Sequence, residues 1–571
     1  MIHNVVWVNS LFFRNVKIKM KSKIIFTTLL IEKSPQSIPL GAACVASAVK
    51  NNSLTKNLCD VELLTFNIED FENTWNQKQK KNNFQNKNHS ISTSNDVSFE
   101  IFCANLITKK ILEKKPEIVG FSVFVWNSKI LQMVSQNLKN HNVFTFAGGP
   151  EITSHPQVFN AFDKTVCGEG EAKVPAVVYE KITGQKVEID KIDYENLSSC
   201  YLDGTLDVCD YEGALWELAR GCPFKCSYCY ESKGEKTVRK FPMARIEKEL
   251  DLFAQKKVPQ VFVLDPTYNA DKTRAIQLLK MIKEKTPDTF YYFEARAEFI
   301  DKELASYFAK IPCALQIGLQ TADENVARLV NRPFNLKNFT KKINILNETG
   351  IVFGLDVIYG LPGDTFAGFK NSVNYAVSLY PNNLEIFCLS VLPGTTIFDD
   401  AEKLHLSFDK EPPYHVLHTD KFSAEDLQNA RKIAEGCNIF YNEGRSVPWF
   451  NTICRTLKIK PANFFEKFYN FLNLSEKSYE LNCKKYYNHK YIEELQKRFV
   501  KEQFAQKNIL RLYNAAQDLI SYHGAISRKT DTRKSETIFL HYPPEFLDSE
   551  YAFDLEFFVK NVKPKSVQFN S

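Results

Sequence analysis

The stretch ELARGCPFKCSYCYES, residues 217–232, gathers three cysteines into eight positions. Cys222, Cys226 and Cys229 are spaced C-x-x-x-C-x-x-C, and no fourth cysteine lies within a dozen residues on either side. Four thiolates would complete a structural zinc site or an electron-transfer iron–sulfur cluster. Three thiolates around four irons leave one iron with an open coordination position, which is what a catalytic metal site requires. The spacing therefore predicts a metal centre that performs chemistry.

Length and composition indicate a large multidomain protein. The chain has 571 residues, of which 44% are hydrophobic and 13% aromatic, and this length favours roughly two to four domains. No apolar run approaches the roughly 18 residues of a membrane span, and no secretion signal is recognisable. The 14 cysteines are scattered, which is typical of reduced thiols in a cytoplasmic protein. The net charge of +6 does not by itself predict nucleic-acid binding. We therefore expect a cytoplasmic protein.

Residues 20–182 alternate strand-like and helix-like segments. The predicted buried strands are KIIFTTLL, DVELLTFNI, EIVGFSVFVW and NVFTFAGGP, and helical spacing appears in PLGAACVASAVKNN and KILQMVSQNLKNH. This alternation predicts a doubly wound parallel sheet, a fold that binds ligands at the carboxyl ends of its strands. Residues 1–19 are predicted to be an extension outside this domain. The polar stretch 76–96 is predicted to be a mobile surface insertion.

A second alternation follows an irregular linker over residues 183–213. Its six strand-like segments are ALWELAR, QVFVLDPTYN, FYYFEARAEF, CALQIGLQT, IVFGLDVIYGLPG and LEIFCLSVLPGT. Six successive βα units predict a partial (βα)6 barrel over residues 214–410, with its site at the C-terminal ends of the strands. The cysteines follow the first of these strands, where such a site belongs. Residues 411–571 are predicted to form a mostly helical accessory domain with a short β tail.

The cysteine spacing, with Tyr228 as the aromatic residue before the third cysteine, resembles the signature of the radical S-adenosylmethionine (radical SAM) superfamily. The resemblance implies a [4Fe-4S] cluster on Cys222, Cys226 and Cys229, whose open iron holds the amino and carboxylate groups of SAM. One electron, from an external flavodoxin-like or ferredoxin-like reductant, then cleaves SAM to methionine and a 5′-deoxyadenosyl radical. The radical would abstract hydrogen from an unactivated carbon of a small-molecule or otherwise unknown substrate.

Further segments resemble the same superfamily between about residues 214 and 408. The resemblance of QIGLQT implies that Gln320 lies near SAM, and that of DVIYGLPGDT implies that Gly360, Leu361, Pro362 and Gly363 line the adenine side. LDPTYN departs from the Gly-Gly-Glu turn that contacts the amino group of SAM in relatives. EARAE offers Arg296 and Glu298 as polar groups at a strand end, and the alternative interpretation of this pair is a surface ion pair.

The front of the chain resembles the cobalamin-binding domain that precedes the barrel in one large branch of the superfamily. The matching segments are PLGAACVASAV, GFSVFVWN, FAGGPEIT and VCGEGEAKVPAVV. Glycine-rich exits from a parallel sheet leave room for a flat ligand, and the predicted cobalamin contacts are Gly148, Gly149, Gly168 and Gly170. The Asp-x-His-x-x-Gly loop that ligates cobalt in other cobalamin domains does not occur, so a bound cobalamin should lack a histidine ligand on its lower face.

The predicted function is a cobalamin-dependent radical SAM enzyme that methylates an unactivated carbon. One alternative is a radical SAM enzyme without cobalamin. Another is a zinc-stabilised RNA-binding scaffold, in which the basic and aromatic run CKKYYNHKYIEELQKRF would touch RNA. The region from PPYHVLHTDKFSAEDL onward resembles the uncharacterised domain that often follows such barrels. We expect no membrane partner and no nucleic-acid partner.

Overall fold

A computed structural model describes residues 21–85, 98–188, 191–232, 237–475 and 488–571. The predicted extension at residues 1–19 lies outside these ranges, and so does the part of the polar stretch 76–96 that follows Gln85. The chain divides into two compact units. One contains the residues up to Glu32 together with Pro39–Leu206, and the other contains Lys33–Ile38 and Asp207–Ser571. The domain boundaries predicted from the sequence stay predictions.

The first unit alternates strands with helices. Its elements are β1 (Ser22–Leu30), α1 (Leu40–Asn51), β2 (Cys59–Asn67), α2 (Ile68–Gln85), α3 (Phe99–Glu113), β3 (Ile118–Ser122), α4 (Ser128–Lys139), β4 (Phe144–Gly148), α5 (Pro150–Ser154), β5 (Lys164–Thr165) and α6 (Gly170–Thr183). The five strands form one parallel sheet in the order β2-β1-β3-β4-β5. The predicted doubly wound parallel sheet is confirmed.

Helices cover both faces of this sheet, which explains why its strands read as nearly continuous apolar runs. On one face Ile25 and Phe121 join a buried cluster with residues of α3 and α4. On the other face Ile24 and Phe26 join a second cluster with residues of α1 and α6. The two-residue strand β5 was not predicted, because Lys-Thr carries no apolar run.

The second unit begins with six βα units. Their elements are β6 (Ala214–Trp216), β7 (Ala219–Arg220), β8 (Arg239–Lys240), α7 (Met243–Lys256), β9 (Gln260–Val263), α8 (Lys272–Lys285), β10 (Phe290–Ala295), α9 (Lys302–Phe308), β11 (Cys313–Gln320), α10 (Glu324–Leu329), α11 (Leu336–Thr349), β12 (Val352–Tyr359), α12 (Phe366–Ser378), β13 (Asn383–Cys388) and α13 (Thr396–Asp399). Six strands form a parallel sheet in the order β13-β12-β11-β10-β9-β6, which confirms the predicted partial barrel.

The first barrel strand is shorter than predicted. The sequence predicts one strand over the whole of ALWELAR, but β6 ends at Trp216, whose carbonyl oxygen accepts a hydrogen bond from Leu264 N (2.8 Å). Beyond this point Oδ1 of Asp265 accepts hydrogen bonds from the backbone N–H groups of Leu218 (2.8 Å) and Ala219 (3.0 Å). A side chain therefore replaces the strand partner, and the chain leaves the sheet before the cysteines.

The rest of the second unit is mostly helical. Its elements are β14 (Ser407–Phe408), β15 (Val416–His418), α14 (Ala424–Cys437), a π-helical segment (Asn438–Glu443), α15 (Val447–Leu457), α16 (Pro461–Ser475), α17 (His489–Gln506), α18 (Tyr513–Thr532), β16 (Thr537–Leu540), α19 (Pro544–Leu547), α20 (Leu555–Asn561) and β17 (Val567–Asn570). The helices share an aromatic core, in which the ring of Phe440 lies 4.8 Å from the rings of Phe464 and Phe468. Strands β16 and β17 pair antiparallel as a β tail. Within the described ranges no helix combines the length and the apolar character that crossing a bilayer requires.

Candidate functional site

The three cysteines lie on the loop that follows β7, beyond the carboxyl end of the first barrel strand. Cys226 is buried, Cys222 and Cys229 are half-buried, and none of them is in a disulfide. Burial raises the pKa of Cys229 above its ordinary value, and the nearby thiols of Cys226 and Cys222 raise it further. Cys222 and Cys226 are therefore close enough to Cys229 to influence it electrostatically. Within the described residues, no three His, Cys, Asp or Glu side chains stand ready to hold a single metal ion.

The chain segment after α10 holds the cysteine loop in place. Three consecutive residues of this segment each contact one of three consecutive residues of the loop. The hydrogen bonds run from Ser227 N to the carbonyl oxygen of Val330 (3.0 Å), from Asn331 Nδ2 to that of Lys225 (2.6 Å), and from Arg332 Nη1 to Sγ of Cys226 (3.7 Å). The middle cysteine is therefore fixed from outside its own loop, and by a cation.

Arg332 also connects the cysteine loop with the end of β11. Its Nη2 donates a hydrogen bond to the carbonyl oxygen of Gly318 (2.5 Å), where the pairing of β11 with β12 shifts register. Gln320 closes this irregular strand end with a φ of +68°. Tyr228 lies beside Cys226, and its pKa is raised by burial and by that neighbouring thiol. Arg332 was not predicted from the sequence, whereas Gln320 and Tyr228 were.

The turn after β9 supports the same loop. Besides Asp265, which fixes the chain at the end of β6, Thr267 places its Oγ1 3.9 Å from Sγ of Cys222. Asn269 is fully buried and exchanges two hydrogen bonds with the backbone of Arg296, at 2.8 Å from Nδ2 and 3.0 Å to Oδ1. The turn after β9, which departs from the Gly-Gly-Glu pattern, thus connects the ends of β6, β9 and β10.

Arg296 lies under the cysteine loop and not on the surface. Its side chain is 7% exposed, and Nη2 lies 2.5 Å from Oε1 of Glu298. The guanidinium group also lies 3.7 Å from the ring centre of Phe224, which stands between the first two cysteines of the loop. Arg296 is therefore not a surface residue, because its guanidinium group stacks on the loop, whereas the Glu298 side chain remains 33% exposed.

Three polar side chains lie on the neighbouring strands β10, β11 and β12. Glu294 is opposite Gln316 in the sheet, and Nε2 of Gln316 donates a hydrogen bond to Oδ1 of Asp356 (2.6 Å). Burial raises the pKa of Asp356 to about 6. A carboxyl group with this pKa holds or releases a proton near neutral pH. Neither Glu294 nor Asp356 was predicted, although Asp356 lies within the segment DVIYGLPGDT that the sequence singled out.

The Gly360–Gly363 turn follows β12 and is tightly packed. Leu361 is fully buried, and a Cβ atom on Gly360 would lie 2.6 Å from Cγ1 of Val416 and 3.1 Å from Cδ2 of Leu427. A side chain at this position would therefore collide with β15 and α14. Pro362 is buried between the two glycines. Contact of this turn with an adenine ring stays a prediction.

Four glycines of the first unit lie where β4 and β5 end. They are Gly148, Gly149, Gly168 and Gly170. Gly149 has a φ of +108°, and a Cβ atom there would lie 2.5 Å from the carbonyl oxygen of Val123, so that only glycine fits. Gly170 starts α6 against α1, because a Cβ atom there would lie 2.8 Å from Cγ2 of Val45. Side chains at Gly149 and Gly170 would therefore collide with their neighbours at the carboxyl edge of the sheet.

Two family models match the second unit. Residues 216–376 match the family described as the radical SAM superfamily. Residues 402–537 match a family described as a protein of unknown function, DUF4080. The first match contains the cysteine loop, Gln320 and the Gly360–Gly363 turn, and the second covers much of the helical region.

Two curated methyltransferases resemble the chain at low identity. The cobalamin-dependent radical SAM methyltransferase TokK of Streptomyces tokunonensis is 24% identical over 332 residues, which are 50% of this chain and 48% of TokK. The 2-(S-pantetheinyl)-carbapenam-3-carboxylate methyltransferase of Streptantibioticus cattleyicolor is 23% identical over 327 residues, which are 49% of this chain and 48% of that enzyme. The chain thus spans about half the length of these relatives.

Solved structures share the fold over most of the chain. The cobalamin-dependent SAM radical enzyme OxsB, with aqua-cobalamin and SAM bound, matches with a TM-score of 0.54 at 12% identity, over 86% of this chain and 80% of OxsB. The radical SAM methyltransferase TsrM from Kitasatospora setae, with tryptophan and a SAM analogue bound, matches with a TM-score of 0.51 at 14% identity, over 70% of this chain and 81% of TsrM. The three cysteines lie inside residues 216–376, the segment of the chain that matches the radical SAM superfamily.

Proposed function

We propose that this protein is a radical SAM enzyme in which Cys222, Cys226 and Cys229 bind a [4Fe-4S] cluster and leave one iron open for SAM. The observation that carries the proposal is the single loop with three cysteines beyond the first barrel strand, where the cation of Arg332 lies against Cys226. This donor set fits a three-thiolate cluster, because cysteine thiolates are the ligands of iron–sulfur clusters. When bound, the cluster and SAM supply a 5′-deoxyadenosyl radical.

The surrounding residues of this chain fix the loop. Arg332 compensates the negative charge of a Cys226 thiolate, and Asp265 holds the backbone that leads into the loop. Arg296 and Phe224 close one side of the loop with a stacked cation and ring. Gln320, Tyr228 and the Gly360–Gly363 turn are the residues that we expect to orient SAM.

We further propose that the first unit binds cobalamin and that the enzyme methylates an unactivated carbon of its substrate. Two findings support this proposal: the glycine exits at the carboxyl edge of the sheet, and the resemblance to TokK and OxsB, both of which are named cobalamin-dependent. Bound cobalamin would supply the methyl group. The partners that this chemistry needs are an external one-electron reductant and a substrate that reaches the barrel.

Anaerobic reconstitution with iron and sulfide tests the radical chemistry. We expect about four irons per chain and 5′-deoxyadenosine that forms only when a reductant and SAM are both present. The triple substitution of Cys222, Cys226 and Cys229 by Ala should abolish both the iron uptake and the formation of 5′-deoxyadenosine. The matched control is Cys209→Ala, since Cys209 is an exposed cysteine outside the loop. Equal activity of the triple variant and the control would rule the proposal out.

Metal analysis separates the remaining alternatives. The cobalamin-dependent enzyme should take up about one cobalt per chain from hydroxocobalamin, whereas a cobalamin-free radical enzyme should take up none while still forming 5′-deoxyadenosine. A zinc-stabilised RNA-binding scaffold would contain zinc without iron, and its affinity for RNA would fall steeply with salt concentration.

A further inference from the structure

Three exposed polar residues meet beside the middle cysteine of the loop. Lys225 directly precedes Cys226 and is exposed, and Arg328 and Asn331, at the end of α10 and just beyond it, are exposed as well. Asn331 connects the other two. Its Nδ2 donates a hydrogen bond to the carbonyl oxygen of Lys225 (2.6 Å), and its backbone N–H donates to that of Arg328 (3.0 Å). The backbones of the two cationic residues are therefore both bonded to one asparagine.

An exposed apolar side chain belongs to the same surface. Leu329 follows Arg328 and is 56% exposed. The next residue, Val330, is fully buried, and its carbonyl oxygen accepts the hydrogen bond from Ser227 N, so the backbone here is fixed to the cysteine loop. An apolar side chain beside charged and polar ones is the composition of a protein–protein contact. We call Lys225, Arg328, Leu329 and Asn331 the cysteine-loop surface.

The cysteine-loop surface is positively charged. Arg328 donates to the neutral amide of Asn325, and within the part of the chain that the structure describes no carboxylate pairs with Lys225 or Arg328. The two acids that begin this segment, Asp323 and Glu324, are half-buried and accept hydrogen bonds from backbone N–H groups. The two cations are therefore available to an acidic partner.

This surface has two short connections to Cys226. Lys225 is its neighbour in the chain, so the Cα atoms of the two residues are about 3.8 Å apart. Asn331 is followed by Arg332, whose Nη1 lies 3.7 Å from Sγ of Cys226. A redox protein seated on these residues would contact the direct neighbours of a cluster ligand, and transfer of an electron between proteins requires such proximity.

We propose that the cysteine-loop surface receives the protein that reduces the cluster, and that this partner is an acidic one-electron carrier of the flavodoxin or ferredoxin type. The inference rests on the proposed [4Fe-4S] cluster. One electron leaves the reduced carrier, which is thereby oxidised, and converts [4Fe-4S]²⁺ to [4Fe-4S]⁺, while no bond forms or breaks between the two proteins. Contacts between redox proteins are small, and opposite charges mainly raise their rate of association.

Stopped-flow reduction of the reconstituted protein by a reduced flavodoxin tests this assignment. The absorbance of the cluster gives the rate, so no turnover of SAM is needed. Lys225→Glu combined with Arg328→Glu should slow the reduction by about tenfold at low ionic strength, and added salt should narrow the difference because it screens the charges. The matched control is Lys467→Glu, since Lys467 is an exposed cation on α16.

A small reductant separates docking from damage to the loop. Photoreduced deazaflavin needs no docking surface, so it should reduce the cluster of the parent protein, the double variant and the control at the same rate. Iron analysis and thermal melting of each variant report whether the cluster and the fold are intact.

Carbodiimide cross-linking measures the contact without electron transfer. The reagent joins a lysine amine to a carboxylate that touches it, so mass spectrometry should find Lys225 joined to the flavodoxin. Lys225→Arg should lose this cross-link, because a guanidinium group does not form it. The same variant should keep the reduction rate of the parent protein, because it keeps the charge.

Each outcome discriminates. Reduction by flavodoxin that is equally fast in the double variant and in the parent protein would overturn the inference and leave the proposed function intact. An equal loss of rate in Lys467→Glu would also overturn it, and so would an equal loss with deazaflavin. Cross-links that form only at lysines other than Lys225 would contradict it as well. A parent protein that holds no iron after reconstitution would overturn the proposed cluster and this inference with it.

Discussion

Arg332 Nη1 donates to Sγ of Cys226 over 3.7 Å, although the two residues are 106 positions apart in the chain. The same guanidinium group donates to the carbonyl oxygen of Gly318 at the end of β11. One side chain therefore joins the middle cysteine to the strand that carries Gln320. Hydrogen bonds to the sulfur ligands are among the factors that set the reduction potential of an iron–sulfur cluster.

Replacing Arg332 should shift the reduction potential of the reconstituted cluster. We expect Arg332→Gln to make the potential more negative, because the thiolate charge on Cys226 loses its compensating cation. Arg332→Lys should lie between that variant and the parent protein, since it keeps the charge without the two-pronged geometry. A redox titration followed by electron paramagnetic resonance (EPR) gives the potentials, and iron analysis shows whether the clusters are intact. Equal potentials at equal iron content would contradict the prediction.

Removing the carboxyl group of Asp265 should destabilise the second unit. Leu218 N and Ala219 N are buried and bond to Oδ1 of Asp265, so Asp265→Leu leaves two donors unsatisfied. Each unsatisfied donor costs about 1–3 kcal/mol. Asp265→Asn keeps an acceptor oxygen and serves as the control. Urea denaturation of both variants measures the effect, and equal unfolding midpoints would refute the role given to this carboxyl group.

The stability of the second unit should fall as the pH rises from 5 to 8. Burial raises the pKa of Asp265 to about 7, so the folded state binds its proton more tightly than the unfolded state does. The stability contributed by such a group is fully present below the unfolded pKa and is lost as the pH rises through the folded pKa. Asp265→Asn has no such proton to lose. Urea midpoints at pH 5 and pH 8 should therefore fall more in the parent protein than in this variant, and an equal fall in both would contradict the account.

Alanine should be tolerated far better at Gly350 than at Gly360. Both glycines have a positive φ, +69° and +83°, so each substitution costs about 1 kcal/mol in backbone strain. At Gly350 no atom lies within 4 Å of the added Cβ, whereas at Gly360 it meets Val416 at 2.6 Å. We expect a further loss of about 1–3 kcal/mol in Gly360→Ala. Thermal melting of the two variants checks this, and equal losses would show that the packing of the turn is unimportant.

The parallel strands were predictable from the sequence because they are buried between two layers of helices. Strands buried on both faces are largely apolar, and KIIFTTLL has this character. The end of β6 was not predictable in the same way. Its position depends on the carboxyl group of Asp265, which lies 47 residues beyond Leu218 in the sequence.

The candidate site also combines residues that are neighbours in the sequence with residues that meet only in the folded protein. The three cysteines share one loop, so their spacing in the sequence is enough to predict a metal centre. Arg332 carries no such signal, because it meets Cys226 only when α10 and the segment after it fold back onto the loop. Arg296 was visible as a polar residue at a strand end, but its burial depends on Phe224, which belongs to a distant loop.

The most direct test of the central claim is the EPR spectrum of the reduced, reconstituted protein before and after addition of SAM. A cluster held by Cys222, Cys226 and Cys229 has an open iron, so SAM should change the [4Fe-4S]⁺ signal at once. A spectrum that SAM leaves unchanged at full iron content would contradict a three-cysteine site. Zinc in place of iron in the purified protein would contradict it equally.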